Sequence, residues 1–524
     1  MAVKRKKKVV ELRLEDVLFN CRDILRGKAS MATRRDVILT LVFLKFISEK
    51  FNKQREKLKQ EFLEKGMPDL FLEKEAFYKK DGVFFLPEDC RWDSLLTKDS
   101  SVLAMAIDIV ISKLDQLEDS LHGALPQKLF TDSKIDGKVL RSLLDEVNKI
   151  SEQRFHEKDL IGRVYEYFLQ AFSINADKEE GEFYTPHSIV ELICALIEPY
   201  DGTIYDPCCG SGGMFVQASK FVEAHGGQTN TIQVYGQESQ PETYRLAKMN
   251  LAIRGISYNL GLLPDSSFTN DQHRQLKASY IMANPPFNLK KWRTENELLT
   301  DVRWAGYDIP PVSNANYAWI LHMLSKLDTT RGVAGFLLAN GALNDPDTYN
   351  IRKKLLENDK VEAIIVLPRD TFYSTDISVT LWILNQNKKR GQWHNRQLRD
   401  RSNQILFVDL RSWDKNVYEK KFVQFLPEQI EQVCNIYHTW QSEGTDSETF
   451  AMPELYRSVD LEKIKENAYS LAPSRYIEFI DRDKDIDYQG ILKNASSVIS
   501  DLLNRQEKNK GQLKKAFKEI GYEF

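Results

Sequence analysis

The stretch Thr203-Ile204-Tyr205-Asp206-Pro207-Cys208-Cys209-Gly210-Ser211-Gly212-Gly213 decides the fold. Its first three residues read as a short apolar strand, and an apolar helix with small residues, Met214 to Ala224, follows the glycines. Strand, glycine-rich turn and helix is a nucleotide-binding geometry. Glycines let backbone approach a ligand closely, and the start of a helix offers free N–H groups. No Lys-Ser/Thr follows the glycines, so the turn is not a phosphate loop, and its spacing is not that of a dinucleotide turn. The next strand, Thr231 to Tyr235, ends at Gly236-Gln237-Glu238. An acid at that place can accept from both hydroxyls of a ribose, which makes Glu238 a candidate ligand residue.

A third apolar strand, Tyr280-Ile281-Met282-Ala283, closes on Asn284-Pro285-Pro286-Phe287. Two prolines end the strand and fix an extended turn at its carboxyl edge, where open α/β sheets bind ligands. The Asn284 side-chain oxygen and the Pro285 carbonyl can accept both protons of one planar NH2 group. Phe287 offers a face on which a flat ring can stack. Accepting both amine protons draws the nitrogen out of conjugation and frees its lone pair for attack. A proline-stopped strand followed by a core Phe would carry the same tetrapeptide.

Further back, Gly181-Glu182-Phe183-Tyr184-Thr185-Pro186-His187 precedes a helix expected from Ser188 to Ile197, with Thr185 as its N-cap and Pro186 at its first position. Taken together, these blocks resemble those of amino-methyltransferases that use S-adenosylmethionine. With their flanks they resemble the modification subunit of type I restriction-modification systems. The flanks are Leu160 to Tyr167, Asn314-Ala315-Asn316-Tyr317-Ala318-Trp319, Leu367-Pro368 followed by Phe372-Tyr373, and Leu471 to Tyr476. The likeness runs from about residue 10 to about residue 480 in the family's order.

Composition sets the outer bounds. At 524 residues the chain is too long for one ordinary core, so two or three domains are expected. The formal charge is -3 with 28% charged residues, whereas a protein holding a long duplex unaided usually shows a basic excess. DNA contact is then local, or another subunit supplies much of it. Lys4 to Lys8 reads as a tail. Lys290-Lys291-Trp292-Arg293, just past the NPPF turn, suits either phosphate and base contact or a solvated loop. The cysteines Cys21, Cys90, Cys194, Cys208, Cys209 and Cys434 form no CxxC pair and have no His at metal spacing, so no metal is expected. No apolar segment follows the charged N-terminus, and Val37 to Phe46 is too short to span a bilayer. A buried helix there and a cytoplasmic location are expected.

Three regions separate along the chain. Residues 10–150 are helical by pattern, with an apolar face of Leu14, Val17, Leu18, Cys21, Ile24 and Leu25 stopped at Gly27, and further helices at 101–118 and 139–151. From 155 to 440 strands and helices alternate, which predicts an α/β, doubly wound, mostly parallel Rossmann-like sheet. Its apolar strands lie at 203–206, 231–235, 280–284, 333–339, 361–367, 379–385 and 404–410. The pair 361–367 and 379–385 is joined without a clear helix and suits an antiparallel edge. Residues 455–524 are an irregular connection and a C-terminal helical tail. There Ile491, Ala495, Val498 and Leu502 are spaced as a short coiled-coil seam, for the chain's own body or for a partner.

The resemblance implies an adenine-N6 DNA methyltransferase. It assigns Glu182, Phe183, Tyr184, Thr185, Pro186, His187, Asp206, Pro207, Gly210, Ser211, Gly212, Gly213 and Glu238 to S-adenosylmethionine, with the glycine turn toward the methionine portion and Glu238 toward the ribose. Asp265, followed by Ser266-Ser267-Phe268, is the candidate for the adenine end. Asn284, Pro285, Pro286 and Phe287 are the catalytic block, acting on an adenine flipped out of duplex DNA. Neither metal nor covalent nucleophile is called for. With Tyr184-Thr185-Pro186 ahead of the glycine turn and Asn284 last, the block order is the γ arrangement, which normally carries its recognition region after NPPF. Little chain remains there, so the resemblance implies a separate specificity subunit, two copies of this chain per specificity chain, and room for a restriction nuclease subunit. Three other readings fit parts of the pattern: a single-chain adenine methyltransferase, a protein glutamine-amide methyltransferase, and a non-catalytic scaffold.

Overall fold

The computed structural model describes residues 14–150, 185–369, 371–372, 378–413, 417–418, 422–480 and 488–522. It falls into two compact units, Met1–Ile477 and Glu478–Phe524. In the first unit, α1 (Leu14–Ile24) buries Leu14, Val17, Leu18 and Cys21, the face expected from the sequence. The second helix, α2 (Met31–Lys65), starts where the Ser30 hydroxyl accepts from the Thr33 N–H at 3.1 Å and stops at Gly66, whose φ of +63° an L side chain rarely adopts. Its stretch from Val37 to Ser48 is buried on every side, which explains the apolar run. With α3 (Leu103–Leu117) and α4 (Gly137–Val147) it forms an all-helical layer.

The remainder of this unit is built on one ten-stranded sheet. Its strands are β1 (Gly202–Asp206), β2 (Ile232–Gly236), β3 (Tyr258–Asn259), β4 (Tyr280–Ala283), β5 (Val333–Ala339), β6 (Val361–Val366), β7 (Val379–Asn385), β8 (Gln404–Asp409), β9 (Ala451–Met452) and β10 (Tyr456–Asp460). Across the sheet they run β9-β10-β8-β6-β7-β5-β4-β1-β2-β3. The half from β5 to β3 is parallel throughout, while β7 is antiparallel to both β5 and β6. Helices α5 (His187–Ile197), α6 (Gly213–Ala224), α7 (Pro241–Ile253) and α10 (Pro427–Gln441) pack on one face. On the other lie α8 (Asn316–Lys326) and α9 (Tyr349–Glu357). The doubly wound class is therefore as expected. Strand β4 shows the reason for its apolar run: Tyr280 and Met282 enter one core, Ile281 and Ala283 the other.

Two expectations fail here. The antiparallel pair β6 and β7 is not at the edge, because β8 pairs parallel with β6 and β10 pairs antiparallel with β8. Nor is the chain beyond residue 455 merely an irregular connection: Tyr456–Asp460 is a strand of the central sheet. Arg457 and Asp460 break its apolar pattern because the strand lies near the sheet's end, with one face partly exposed.

The helical layer is fixed to the β3 side of the sheet through α7, whose Leu246, Met249 and Ile253 join its core. Lys50 Nζ donates to the Ile253 carbonyl at 3.2 Å, Lys248 Nζ to that of His122 at 3.0 Å, and the Tyr258 hydroxyl to that of Ser120 at 2.5 Å. The second unit contains α11 (Tyr488–Glu519), a helix of 32 residues. Its Ile491, Val498 and Leu502 are all exposed, as is Ala495 between them. Among the described residues no helix is long and apolar enough to cross a membrane.

Candidate active site

Parallel pairing brings the carboxyl ends of β2, β1 and β4 side by side. Asp206 lies opposite Gly236, and Tyr205 opposite Ile281, so the chain leaves all three strands on the same edge. On that edge Gly210 and Gly212 take φ of +52° and +79°, and Gly212 precedes the first turn of α6. A Cβ added at Gly210 or Gly213 would meet no atom within 4 Å, so the turn faces open space. A Cβ at Gly236 would lie 2.8–3.0 Å from Leu260 and Phe215, which is why β2 ends on glycine.

Glu238 is 9% exposed and closes this cradle. Its carboxylate accepts from the Gly210 N–H at 3.0 Å and from the Gln240 N–H at 2.8 Å, tying the end of β2 to the glycine turn. Asp265 is held alongside. Its N–H donates to the Glu238 carbonyl at 3.0 Å, and its carboxylate accepts from Ser266 N–H at 2.7 Å and Asn270 Nδ2 at 2.8 Å. Pro207 joins the same cluster through its carbonyl, which accepts from the Ser267 hydroxyl. The Ser211 carbonyl accepts from Asn250 Nδ2 on α7 at 2.8 Å. Asp206 is buried and accepts from the Cys208 N–H at 3.0 Å. Burial pushes its carboxyl up to about 7; the Cys208 bonds oppose the rise and nearby Glu238 adds to it.

At the end of β4 the Asn284 carboxamide donates from Nδ2 to the Thr185 hydroxyl at 2.9 Å. Its Oδ1 is buried and has no donor among the described residues. Thr185 therefore does not cap α5 as expected. The helix begins at His187 after Pro186, with no side-chain cap, because the Thr185 hydroxyl is turned to Asn284 instead. His187 stands at the exposed start of α5, 3.6 Å from the Glu191 carboxylate. Phe287 is half-buried and meets Phe372 edge-to-face, with centroids 5.8 Å apart and an interplanar angle of 87°. Glu182, Phe183, Tyr184, the Leu160 to Tyr167 flank and Tyr373 lie outside the described residues.

The basic cluster past the turn divides. Lys290 and Lys291 are exposed, but Trp292 and Arg293 are buried. Arg293 donates to the carbonyls of Thr294, Glu295, Glu297 and Pro310, so it staples its own loop and is not placed to meet phosphates.

Two residues that hold the site escaped the sequence reading. Gln237 is fully buried. Its Nε2 donates to the carbonyls of Asp265 and Asn270 at 3.0 and 2.8 Å, and its Oε1 accepts from the Gln272 N–H at 3.2 Å. It thus clamps the whole loop that carries Asp265. Arg303 donates to the carbonyls of Ser267 and Phe268 at 2.8 and 2.6 Å and lies 3.0 Å from His322 Nδ1. The only available signal was a Gln and an Arg in polar contexts, and neither marks a clamp until the fold supplies its partners.

Comparisons with known proteins agree over most of the chain. Residues 156–485 match the model of the N-6 DNA Methylase family, and residues 14–147 match that of the HsdM N-terminal domain. The Type I restriction enzyme MjaIX methylase subunit of Methanocaldococcus jannaschii is 31% identical over 97% of this chain and 91% of its own length. The Type I restriction enzyme HindI methylase subunit of Haemophilus influenzae is 38% identical over 70% of this chain and 79% of its own. Among solved structures, the type I restriction-modification system methyltransferase subunit from Streptococcus thermophilus superposes with a TM-score of 0.70. That match has 22% identity and covers 89% of this chain and 99% of the other, which supports the fold.

The raised Asp206 has a measurable consequence. Unfolded, it titrates near 3.8; folded, at about 7. Between these values the folded protein keeps a proton that the unfolded chain has released. Stability therefore falls as pH rises through the window and levels off above it. Asp206→Asn keeps an oxygen for the Cys208 N–H and removes the titration. In denaturant unfolding at about pH 5 and about pH 8, the variant should gain on the parent at the higher pH. A constant difference would mean that Asp206 is ionised throughout.

Proposed function

The chain belongs to the N-6 DNA methylase family, as a methylase subunit of the type I kind, and from that membership we propose how its residues divide the work. It is an adenine-specific DNA methyltransferase that uses S-adenosylmethionine, and it acts as the modification subunit of a type I restriction-modification complex. The cradle fits that cofactor: an open glycine turn for the methionine portion, the buried carboxylate of Glu238 for the ribose, and Asp265 for the adenine end. Asp206, Pro207, Ser211, Gly212 and Gly213 complete the wall, and Glu182, Phe183, Tyr184, Thr185, Pro186 and His187 are assigned to the same ligand. When bound, S-adenosylmethionine supplies an electrophilic methyl group on its sulfonium.

One observation carries the target side: Asn284 Oδ1 is buried without a donor among the described residues, while Nδ2 is committed to Thr185. The Thr185 bond fixes which end of the carboxamide faces the incoming base. A buried acceptor left unmade costs about 1–3 kcal/mol, and the N6 amine of a flipped adenine offsets that cost. Asn284 Oδ1 and the Pro285 carbonyl accept the two N6 protons, Pro286 holds the turn extended, and Phe287 stacks on the ring. The lone pair released on N6 then points away from both acceptors. Catalysis rests on orientation and on hydrogen-bond electrostatics.

DNA and a specificity subunit are its partners. We assign two copies of this chain to each specificity chain, with a restriction nuclease subunit as a further associate and a cytoplasmic setting. The parts are residues 10–150 as the helical layer, 155–440 completed by the strand Tyr456–Asp460 as the transfer domain, and the rest of 455–524 as a segment whose terminal helix meets the partner. The exposed Ile491, Ala495, Val498 and Leu502 support that last role. They form an apolar seam on a helix whose described residues are exposed apart from the half-buried Phe517.

Three outcomes are expected. Asn284→Ala abolishes methyl incorporation while calorimetry shows cofactor binding largely intact; an equal loss of affinity would refute the separation of the two sites. Glu238→Ala weakens cofactor binding by about 1.5–3 kcal/mol, the scale of hydrogen bonds to a charged acceptor. The purified chain binds cofactor but labels duplex DNA poorly and without sequence preference, and added specificity subunit restores labelling at one bipartite site. Robust, site-specific labelling by the chain alone would overturn the assigned dependence on a partner.

A further inference from the structure

The Asn314 to Trp319 block lies about 30 residues beyond the NPPF turn in sequence, yet the fold returns it to that turn. Asn288, the residue after Phe287, takes a left-handed φ of +54°. Its N–H donates to Asn316 Oδ1 at 3.1 Å, and its own Oδ1 accepts from Asn316 Nδ2 at 2.9 Å. The two carboxamides are thus paired reciprocally, one bond through backbone and one through side chain. Asn314 Nδ2 adds an outer donor to Asn288 Oδ1 at 3.3 Å, and Asn314 Oδ1 accepts from the Asn316 N–H at 2.9 Å. One residue further on, the Ala315 N–H donates to the Leu289 carbonyl at 2.9 Å.

Asn316 is 2% exposed and stands in the first turn of α8, a helix buried against the sheet. It is therefore a rigid point to which the turn is tied. Asn takes the left-handed conformation more readily than most residues with a Cβ, and the two hydrogen bonds to Asn316 hold Asn288 in it. That conformation sets the direction in which the chain leaves Phe287. On its other side Phe287 is braced edge-to-face by Phe372.

We propose that Asn316, assisted by Asn314, is a positioning residue for methyl transfer: it locks Asn288 and so fixes the ring plane of Phe287 against which the target adenine stacks. The clamp makes no contact with the adenine and does not bind cofactor. Its contribution is to hold the ring in place before the base arrives, so that stacking presents N6 to Asn284 in one orientation. This rests on Phe287 being the stacking ring.

The test is a double-mutant cycle on the enzyme assembled with its specificity subunit, read as the single-turnover methyl-transfer rate. Asn316→Asp keeps the acceptor for the Asn288 N–H and replaces the donor facing Asn288 Oδ1 by an oxygen. It should slow transfer about 10- to 100-fold, the cost of a misplaced reacting group, with S-adenosylhomocysteine affinity held within about twofold. In a Phe287→Ala background the same substitution should cost almost nothing more, because both changes remove one function. An unchanged rate in Asn316→Asp, or losses that add in the double variant, overturns the clamp. A Phe287→Ala enzyme at the parental rate overturns the stacking role itself, which is a different failure. If Asn316→Asp loses cofactor affinity through misfolding, Asn314→Ala decides by the same cycle. It removes the outer donor to Asn288 and the acceptor of the Asn316 N–H, at a half-buried position, and should show a smaller loss that again vanishes without Phe287.

Discussion

The register of three parallel strands governs everything else in this molecule. Strand β1 lies between β2 and β4, with Asp206 opposite Gly236 and Tyr205 opposite Ile281. A parallel sheet ends all its strands in the same direction, so the glycine turn, Glu238 and Asn284 reach one edge without any side chain directing them there. A slip of one residue in β4 would turn Ile281 and Ala283 into the other core and move Asn284 off that edge. Two different cores, one on each face, specify the register from both sides. The site's geometry is thus held by buried apolar side chains on both faces of the sheet.

The sequence showed clearly what is local and poorly what is not. Strands β1, β4, β5, β6 and β7 were legible because strands buried on both faces are continuous apolar runs. The glycine turn was legible because backbone exposure leaves a compositional mark. Strand β10 was missed, since Tyr456-Arg457-Ser458-Val459-Asp460 is stabilised by pairing with β8, some fifty residues earlier, rather than by its own pattern. Thr185 was read as a cap because the rule for caps considers only the residues that follow. Its real partner, Asn284, is 99 residues away. Arg293 failed for a similar reason: a basic residue beside a mouth is read as exposed until the carbonyls that surround it are known.

The polar residues under the edge form a second layer of control. Tyr205 on β1 lies 3.0 Å from His322 Nε2 on α8, and His322 Nδ1 lies 3.0 Å from Arg303. Arg303 in turn holds the Ser267 and Phe268 carbonyls, beside the loop that Gln237 clamps. Burial and the adjacent Arg303 and Lys326 cations push His322 well below its ordinary range, so it stays neutral and serves Arg303 as an acceptor. The ring of Phe268 packs 4.1 Å from Trp319 and 4.6 Å from Trp292. The wall beside Asp265 and the loop beyond Phe287 are therefore built on shared residues, and neither can be repacked alone.

This internal use of cations bears on how the chain meets DNA. Arg293, Arg303, Arg352, Arg399 and Arg401 are each 8% exposed or less. They spend their donors on carbonyls and on partners such as Glu362, which pairs with Arg401 at 2.7 Å where both are fully buried. Buried acids such as Glu146, Asp206, Glu238 and Glu362 offset these arginines, so enclosure leaves the formal charge of -3 as a fair measure of the surface balance. Long-range attraction to phosphates falls with the charge that faces solvent, and released counterions supply most of the affinity for duplex. A chain with a formal charge of -3 has little of that attraction to offer. Of the basic cluster beside the NPPF turn, Lys290 and Lys291 alone face solvent, so the attraction that this edge itself can offer a phosphate is local.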